Sequence, residues 1–585
     1  MFGFKRSMVQ AVVILTWALK YYTFGNLIIW WSLSIILSLV VLLCVTTYDH
    51  DYWSSRGVFS PPAWPLVGHI LSVVTFKEQG GMCFKRIYET YRNERFLGTH
   101  QFYQRTLVVR DPELIKRVCV VDFQHFVDRG FFFNKDVDPL AGSVLFLRGN
   151  EWRKLRAKIS PIFSPNKLRG MFSLIDNTAN DFVVRVKDLL TKATVNTNTK
   201  NNIRNRKEET ISNKEVNFNI NNTRDNGNVE TLEIQNNNIT VNGIKANDSE
   251  KLVGGYTADA IVPCAFGLKS GVMYNEKDPF AVALQAFYEM SLFNIFEKTM
   301  RQFWPAFVLF FRMRIIPKKT HDFFHNIVTS VLRARENGEQ EKRGDFIDMM
   351  MALRSDDSNN NHKTEDDVEI TDMVISANAF IIFLGGFETT SSTLAFLCLE
   401  LAAHPHVQRK MRDEIHHVLG KRGGVVTYEL LQELTYMEMV IQETLRLYPP
   451  FPSIQRMCTK DYTIPGTDTV IEKGTIVLFP TLAIQRDEQY FEQAERFVPE
   501  RWSPERPAPP PGVYMPFGDG PRYCIGKRFA IIQMKCCLVR LLQHVRISPA
   551  CASMLAERLT EPFAGDPRSP LTLHPADSRV KLTLL

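Results

Sequence analysis

One cysteine near the carboxyl end lies in a glycine-rich loop, PFGDGPRYCIG at residues 516–526. The glycines at 518, 520 and 526 let the backbone turn closely around the sulfur of Cys524 and direct amide N–H groups toward it, which stabilises a thiolate. Arg522, two residues earlier, adds positive charge. Because zinc needs about four ligands, a solitary thiolate favours an axial position on haem iron. We therefore predict that this cysteine holds a metal and decides the chemistry.

Composition limits the other classes of function. The chain has 585 residues, enough to bury a large core, and its net charge of +7 comes from basic residues scattered along the sequence. A nucleic-acid-binding surface is therefore not expected. The ten cysteines show no repeated short spacing, which argues against a disulfide framework and against a zinc module.

The amino-terminal region, residues 1–50, contains an uncharged apolar stretch at 27–45. A helix of this length spans roughly the hydrocarbon core of a bilayer, so we predict a transmembrane anchor. An apolar stretch at 8–19 is shorter, and it could pass for a signal-peptide core or pair with the anchor as a hairpin. More basic residues precede the anchor than follow it, which taken alone places the amino terminus in the cytosol.

A proline-rich segment follows the anchor. Three prolines occur within residues 61–65, where they forbid a continuing helix and favour a stiff, extended hinge over residues 51–68. Such a hinge would set the angle of the following domain on the membrane. An ordinary proline-rich loop is the alternative.

The composition changes sharply between about residues 194 and 248. This stretch holds seventeen asparagines and few large apolar residues. It cannot bury enough surface to offset the entropy of ordering, so we predict a disordered insertion. Three glycosylation sequons, at Asn221, Asn238 and Asn247, would matter only if the domain were lumenal.

A long apolar helix is predicted from about Thr371 to His404, and Pro405 ends it. Its middle, GGFETTSST at 385–393, places two glycines, an acid and five hydroxyls where a helix is usually most uniform. One interpretation is a local groove that admits water or dioxygen beside Thr389, with Glu388 linked to a proton supply. The alternatives are a second transmembrane helix, or a buried helix whose hydroxyls bond back to backbone carbonyls.

Several charged residues carry weaker signals. Glu443 and Arg446 are three residues apart on a predicted helix and so face the same side, although any helix surface produces such pairs. Trp152 and Arg156 are four residues apart on another predicted helix, and Arg456 follows a pair of prolines. Each of these residues taken alone is also compatible with a solvated surface.

Taken together, these motifs resemble those of the cytochrome P450 superfamily. The pattern Phe-x-x-Gly-x-Arg-x-Cys-x-Gly at 517–526 is similar to its haem-binding signature at every fixed position. The segment 385–393 resembles its oxygen-binding motif, Glu443-x-x-Arg446 its charged helix pair, and 497–502 the segment that supplies a further arginine, here Arg501. The resemblance covers roughly residues 52–585 apart from the insertion, and it is strongest with insect microsomal members.

The resemblance implies a mainly α fold with small β-sheets, preceded by the transmembrane helix, with a haem-thiolate catalytic domain at 69–585. It implies that Glu443, Arg446 and Arg501 form a buried network supporting the haem loop. Cys524 is implied as the axial ligand of the haem iron, and Glu388 and Thr389 as the catalytic proton-delivery pair. The residues implied to bind haem are Trp152, Arg156, Arg456, Phe517 and Arg522.

The implied activity is a monooxygenase that inserts one oxygen atom from O2 into a hydrophobic small molecule. Electrons would come from NADPH through a membrane-bound reductase, with cytochrome b5 as a further partner. Candidate reductase contacts are Lys410, Arg412, Lys527 and Arg528, and candidate pocket residues are Phe131–Phe133, Phe380–Leu384 and those after Pro450. The family topology implies the endoplasmic reticulum membrane with the domain on its cytosolic face, opposite to the orientation that the flanking charges favour.

Two other functions remain open at this point. One is a haem-thiolate isomerase or dehydratase acting on a peroxide, against which the Glu388–Thr389 pair argues because that chemistry needs no proton relay. The other is a non-catalytic haem-binding carrier or sensor. The chain also departs from the usual family pattern at three positions, with Gly385 for alanine, Gln485 for histidine and Trp502 for phenylalanine.

Overall fold

The structure is a computed structural model that describes residues 27–47, 49–102, 104–131, 133–212, 248–288, 312, 314, 316–359, 368–552, 555, 558, 561–569 and 572–585. The apolar stretch at 8–19, the asparagines of the three predicted glycosylation sequons and Phe132 lie outside the described residues.

Helices account for most of the described chain. In chain order they are α1 (Leu27–Thr47), α2 (Leu71–Val74), α3 (Gly80–Thr90), α4 (Pro112–Lys116), α5 (Gly149–Ile159), α6 (Pro165–Ser212), α7 (Asp248–Phe266), α8 (Pro279–Tyr288), α9 (Lys318–Glu336), α10 (Phe346–Asn359), α11 (Asp372–Ala403), α12 (Pro405–Lys421), α13 (Tyr428–Glu433), α14 (Thr435–Leu447), α15 (Thr481–Gln485) and α16 (Lys527–Leu542). Short 3₁₀ turns include Pro499–Trp502 and Gly520–Arg522.

The strands form small sheets at the edges of the helical body. They are β1 (Phe96–Gln101), β2 (Gln104–Val109), β3 (Ile454–Met457), β4 (Tyr462–Thr463), β5 (Val470–Ile471), β6 (Ile476–Phe479), β7 (Val545–Pro549) and β8 (Val580–Leu584). The largest sheet has the order β1-β2-β6-β3, in which β2 and β6 are parallel and the other pairs are antiparallel. All four residues of β6 are buried, as an uninterrupted apolar run predicts. The predicted fold class, mainly α with small sheets, is confirmed.

The central helix α11 begins and ends as the sequence predicts. The hydroxyl oxygen of Thr371 accepts a hydrogen bond from the amide of Val374 at 3.3 Å and caps the amino end, and Pro405 opens the next helix. Among the described residues, α11 is the one helix that is both long enough and apolar enough to cross a membrane. Its residues from Thr390 to Ala402 are nevertheless buried within the domain, so the alternative of a second transmembrane helix is wrong.

Helix α1 covers the stretch predicted as a transmembrane anchor. Its described side chains between Trp31 and Val41 are exposed or only partly covered, including Trp31 at 67% and Ile35 at 56% exposure. The strongly apolar part, Trp31–Val41, is shorter than a full bilayer span. An apolar helix that no other described element covers is unfavourable in water, which is compatible with a membrane location.

The start of the predicted hinge is held against the largest sheet. The indole Nε1 of Trp53 donates to the carbonyl oxygen of Thr99 at 3.1 Å, and Trp53 is completely buried. The guanidinium Nε of Arg105 lies 2.5 Å from a carboxylate oxygen of Asp49. Gly98 leaves room for this contact, because a Cβ atom there would lie 2.1 Å from Trp53 Cγ. The chain after α1 is therefore fixed to the domain at its first residues.

The Asn-rich segment differs from the prediction at its beginning. Helix α6 continues to Ser212, so residues 194–212, which the sequence analysis assigned to the disordered insertion, are helical. Between Pro165 and Ser212 the only helix breaker after the first residue is Gly170, so nothing in the sequence stops the helix at residue 194. Residues 213–247 of the predicted insertion lie outside the described residues.

A buried network of charges joins α14 to the turn Pro499–Trp502. The guanidinium of Arg446 donates to both carboxylate oxygens of Glu443 at 2.9 Å, and Nε of Arg501 lies 3.0 and 3.1 Å from the same two oxygens. The indole Nε1 of Trp502 donates to Glu443 at 2.9 Å, and the amide of Val498 does so at the same distance. Glu443 and Arg446 are fully buried, so their charges need these partners, and the guanidinium of Arg446 also donates to the carbonyl oxygens of Gln485, Ala494 and Arg496.

Gln485 connects this network to the cysteine loop. Its side-chain amide donates to the carbonyl oxygens of Leu445 at 3.0 Å and Arg446 at 2.9 Å, and its Oε1 accepts from the amide of Met515 at 2.9 Å. A neutral histidine has one donor and one acceptor and could not make all three bonds. Gln485 and Trp502, where the family pattern usually has histidine and phenylalanine, therefore each add hydrogen bonds to this network.

We predict that Trp502→Phe lowers the free energy of unfolding by about 1.5 to 3 kcal/mol, because a buried carboxylate loses a hydrogen-bond donor. Trp64→Phe is the matched control, since Trp64 is 61% exposed, and we expect a change within about 0.5 kcal/mol. Urea denaturation of both variants gives the comparison. Equal losses in the two variants would contradict the role assigned to the indole N–H.

Candidate cofactor site

The loop that carries Cys524 is built by two glycines with left-handed backbone. Gly518 has φ of +74° and Gly520 has φ of +68°, a region that other residues rarely adopt. A Cβ atom on Gly520 would lie 1.8 Å from the carbonyl oxygen of Cys119. The amide of Cys524 donates to the carbonyl oxygen of Phe517 at 2.8 Å, which closes the loop. The cysteine is thereby fixed just before α16.

Burial raises the pKa of the Cys524 thiol, and the amide of Gly526 and the charges of Arg129, Arg156 and Lys527 offset this rise only in part. Arg522 is the nearby positive charge that the sequence predicts. Its guanidinium donates to the carbonyl oxygens of Val127 at 2.8 Å and Leu147 at 2.7 Å. The cations that act on the sulfur include residues distant in sequence.

Four arginines surround the cysteine loop. Arg129 donates through Nη2 to the carbonyl oxygen of Arg522 at 2.8 Å, and Nη2 of Arg456 lies 3.3 Å from the carbonyl oxygen of Asp519. Arg156 donates through Nη2 to the carbonyl oxygen of Tyr523 at 2.9 Å. Burial and mutual repulsion lower the pKa of Arg129 to about 9 and that of Arg522 to about 8. This much buried positive charge is unfavourable without an anion.

The donor set fits a haem group. The Nε atoms of Arg129 and Arg456 are buried and have no hydrogen-bond partner among the described residues. Buried donors left in this way are rare in proteins, and the two carboxylates of haem are ligands of the right charge. Among all the residues that the structure describes, no cluster of three or more His, Cys, Asp or Glu side chains is arranged to hold a metal ion. A single sulfur together with a cluster of arginines therefore suits haem better than a free metal.

The other predicted cofactor residues are brought to the same loop. The guanidinium of Arg522 lies 3.8 Å above the ring of Trp152, and that of Arg156 lies 5.0 Å from the ring of Tyr523. Lys527 Nζ lies 5.7 Å from the ring of Phe517. The sequence-predicted set at 152, 156, 456, 517 and 522 is thus gathered around Cys524, whereas Arg129 was missed. Arg129 lies in none of the motifs from which the site was predicted.

The middle of α11 remains a continuous helix. The hydroxyl of Thr389 donates to the carbonyl oxygen of Gly385 at 2.6 Å, and that of Thr393 donates to Thr389 at 2.8 Å. The back-bonded hydroxyls proposed as an alternative are therefore present. Beside them there is also open space, because a Cβ atom on Gly385 would meet no atom within 4 Å, whereas one on Gly386 would lie 2.9 Å from Ile261. Thr389 lies one helical turn after this opening.

The carboxylate of Glu388 reaches the carboxyl-terminal loop. The hydroxyl of Thr572 donates to Glu388 Oε1 at 2.6 Å, and Nε2 of His574 lies 3.4 Å from the same oxygen. These two residues were missed, and no short sequence motif could have found them, because they follow Glu388 by 184 and 186 positions. They belong to a contact made only by the tertiary fold.

The predicted pocket residues divide into two groups. Phe131 and Phe133 lie at the loop before α5, with ring centroids 5.8 and 6.1 Å from that of Phe146. Phe380 and Phe383 were also predicted to line the pocket, but they are 2% and 0% exposed and pack on Phe324 at 5.0 and 5.3 Å. They are core residues, because their face of α11 is covered by α9.

Comparison with known proteins agrees with this geometry. A family model described as Cytochrome P450 matches residues 59–242 and 196–561, which is most of the chain. The chain belongs to the cytochrome P450 family. Membership of this family supports the assignment of the chain as a cytochrome P450 monooxygenase and implies a haem-thiolate cofactor.

Relatives of this cytochrome P450 occur in insects. Cytochrome P450 6B2 of Helicoverpa armigera is 30% identical over 525 residues, covering 88% of this chain and 92% of the relative. Cytochrome P450 6l1 of Blattella germanica is 30% identical, with 88% and 91% covered. The probable cytochrome P450 6a14 of Drosophila melanogaster is 32% identical, with 88% and 92% covered. The predicted resemblance to insect members of the superfamily is confirmed.

The two left-handed glycines give a matched test of the cysteine loop. Gly518→Ala and Gly520→Ala impose the same backbone strain, about 1 to 3 kcal/mol. Only Gly520→Ala also collides with a backbone carbonyl, which cannot move aside as a flexible side chain can. We expect Gly520→Ala to lose most bound haem and Gly518→Ala to retain it, measured as haem per protein. Equal retention would contradict the described loop geometry.

Proposed function

We propose that this cytochrome P450 inserts one oxygen atom from O2 into a hydrophobic small molecule, with Cys524 as the axial ligand of its haem iron. The observation that carries the proposal is that Arg129 and Arg456, at the loop that carries Cys524, each have a buried guanidinium donor with no hydrogen-bond partner among the described residues. Haem, when bound, supplies the iron chemistry that activates dioxygen. The protein supplies the ligand, the anion-binding cations and the proton path.

Each group has one task in this proposal. The sulfur of Cys524 would be the electron-donating ligand of the iron, with the amide of Gly526 favouring its negative charge. Arg129, Arg156 and Arg456 would bind the carboxylates of the cofactor. The hydroxyl of Thr389 would hold a proton at the edge of the open space beside Gly385, and it can turn away from the Gly385 carbonyl toward that space.

Electrons come from NADPH through a membrane-bound flavoprotein reductase, with cytochrome b5 as a second partner. Lys527 and Arg528 are exposed at the start of α16, three and four residues after Cys524. They are the best supported of the four candidate contacts, because Lys410 pairs with Glu500 at 3.0 Å and Arg412 donates to the carbonyl of Leu542 at 2.9 Å. A reductase bound at this face would approach the cysteine side of the cofactor.

The enzyme acts at the endoplasmic reticulum membrane, with its catalytic domain on the cytosolic face and α1 as the anchor. The uncovered apolar surface of α1 supports membrane insertion, and the fixed contacts of Trp53 and Asp49 support a set angle between anchor and domain. The substrate is apolar, and Phe131 and Phe133 provide aromatic surface near the loop that carries Arg129.

We predict that turnover of an apolar substrate requires NADPH and reductase, and that Thr389→Ala retains haem but diverts electrons from product to hydrogen peroxide. Thr393→Ala is the matched control, because it removes the same type of back-bonded hydroxyl one turn later at a buried position. The measurement is product and peroxide formed per NADPH. Unchanged coupling in Thr389→Ala would contradict its assigned role.

The same assay distinguishes the monooxygenase from the two alternative functions, a haem-thiolate isomerase or dehydratase and a non-catalytic carrier or sensor. Turnover of a hydroperoxide without NADPH and reductase would indicate an isomerase or dehydratase instead. Ligand binding with no oxygen consumption would indicate a carrier or sensor.

A further inference from the structure

A histidine and a threonine of the carboxyl-terminal loop form a hydrogen-bonded chain to Glu388. His574 Nε2 lies 3.1 Å from the hydroxyl oxygen of Thr572, and that hydroxyl lies 2.6 Å from Glu388 Oε1. Thr572 is 3% exposed, whereas the side chains of His574 and Glu388 are 18% and 17% exposed. The chain therefore runs from a partly exposed ring, through a buried hydroxyl, to a carboxylate on the central helix.

The number of protons on each group decides which atom donates in each of these hydrogen bonds. A threonine hydroxyl carries one proton, and an ionised carboxylate can only accept hydrogen bonds. Because Thr572 donates its proton to Glu388, its oxygen must accept from Nε2–H of His574. Nε2 of His574 also lies 3.4 Å from Oε1 of Glu388. Both bonds thus point from His574 toward Glu388.

The loop that presents these side chains is held at three consecutive residues. The carbonyl oxygen of Thr572 accepts from Gln79 Nε2 at 3.5 Å, and the amide of Leu573 donates to Pro450 at 2.9 Å. The hydroxyl of Ser392, on α11 itself, donates to the carbonyl of Leu573, and the carbonyl of His574 accepts from the amide of Asp566 at 2.8 Å. A chain of groups fixed in this way transfers protons without prior rearrangement.

We propose that His574 and Thr572 form the proton relay that reprotonates Glu388 during turnover. From the imidazolium form of His574, the proton on Nε2 passes to Thr572 Oγ while the hydroxyl proton passes to Glu388 Oε1. Thr572 again holds one proton, Glu388 becomes neutral, and the neutral ring takes a proton from a solvent hydronium ion, which leaves water. No electrons are transferred in these steps. The inference rests on the proposed monooxygenase function, in which Glu388 links to the proton supply beside Thr389.

The test uses the full-length, haem-loaded protein reconstituted with an NADPH-dependent reductase. Thr572→Val removes the hydroxyl, Thr572→Ser restores it, and His574→Gln keeps a side-chain donor but cannot carry an exchangeable positive charge. Ser391→Ala is the control, because its hydroxyl donates to the backbone carbonyl of Glu388 at 3.0 Å and has no part in the relay. The readouts are product per NADPH and the solvent deuterium isotope effect on turnover.

We expect Thr572→Val and His574→Gln to lose about tenfold in coupled product formation, less than the roughly 10² to 10⁴ of a fully lost acid because solvent partly replaces it. Both should show a larger solvent isotope effect, whereas Thr572→Ser and Ser391→Ala should match the wild type. Variants that keep wild-type coupling while the wild type turns over would overturn the relay alone. A wild type without NADPH-dependent turnover would overturn the proposed function and the relay with it.

A second readout does not depend on activity. The infrared carboxyl band that disappears in Glu388→Gln belongs to Glu388, and Thr572→Val should shift its frequency because the carboxyl loses a hydrogen-bond partner. Thr572→Ser and Ser391→Ala should leave the band in place. An unshifted band in Thr572→Val would show that the hydroxyl does not bind Glu388, and it would refute the relay.

Discussion

Several buried arginines surround the loop that carries Cys524, and their positive charge has to be compensated. Arg129 and Arg456 each keep a buried donor without a partner in the described chain, and burial with neighbouring positive charge lowers the pKa of Arg129. An arrangement of this kind is unfavourable by itself, and it becomes favourable when an anionic group binds. The protein therefore has a free-energy reason to bind a cofactor that brings two carboxylates and an iron ligand site.

A network of buried charged and polar side chains supports the loop that carries Cys524. Glu443 offsets the charges of Arg446 and Arg501, and Gln485 joins the carbonyl of Arg446 to the amide of Met515, close before the cysteine loop. Since each group is buried and hydrogen-bonded to the next, the removal of one leaves others unsatisfied. The charged network thus stabilises the loop that carries Cys524. In the proposed reaction, Cys524 would be the ligand of the iron and Thr389 would hold the proton.

The features predicted correctly from the sequence are those that depend on residues close together in the chain. The glycine-rich loop and the caps of α11 depend on neighbouring residues, so their positions followed directly from the chain. Thr572, His574 and Arg129 could not be found in this way, because their roles arise from contacts between distant segments. Phe380 and Phe383 were misplaced for a related reason, since only the packing of α9 shows which face of α11 is covered. Residues 194–212 were misassigned because asparagine-rich composition outweighed the absence of a helix breaker.

The most direct test of the central claim is the absorption spectrum of the reduced carbonyl complex. The wild-type protein should show the Soret band of a thiolate-ligated haem, and Cys524→Ser should lose it. Cys551→Ser, which replaces an exposed cysteine, should retain the band. A wild-type spectrum without the thiolate-type band, or an unchanged spectrum in Cys524→Ser, would contradict the assignment of Cys524 as the iron ligand.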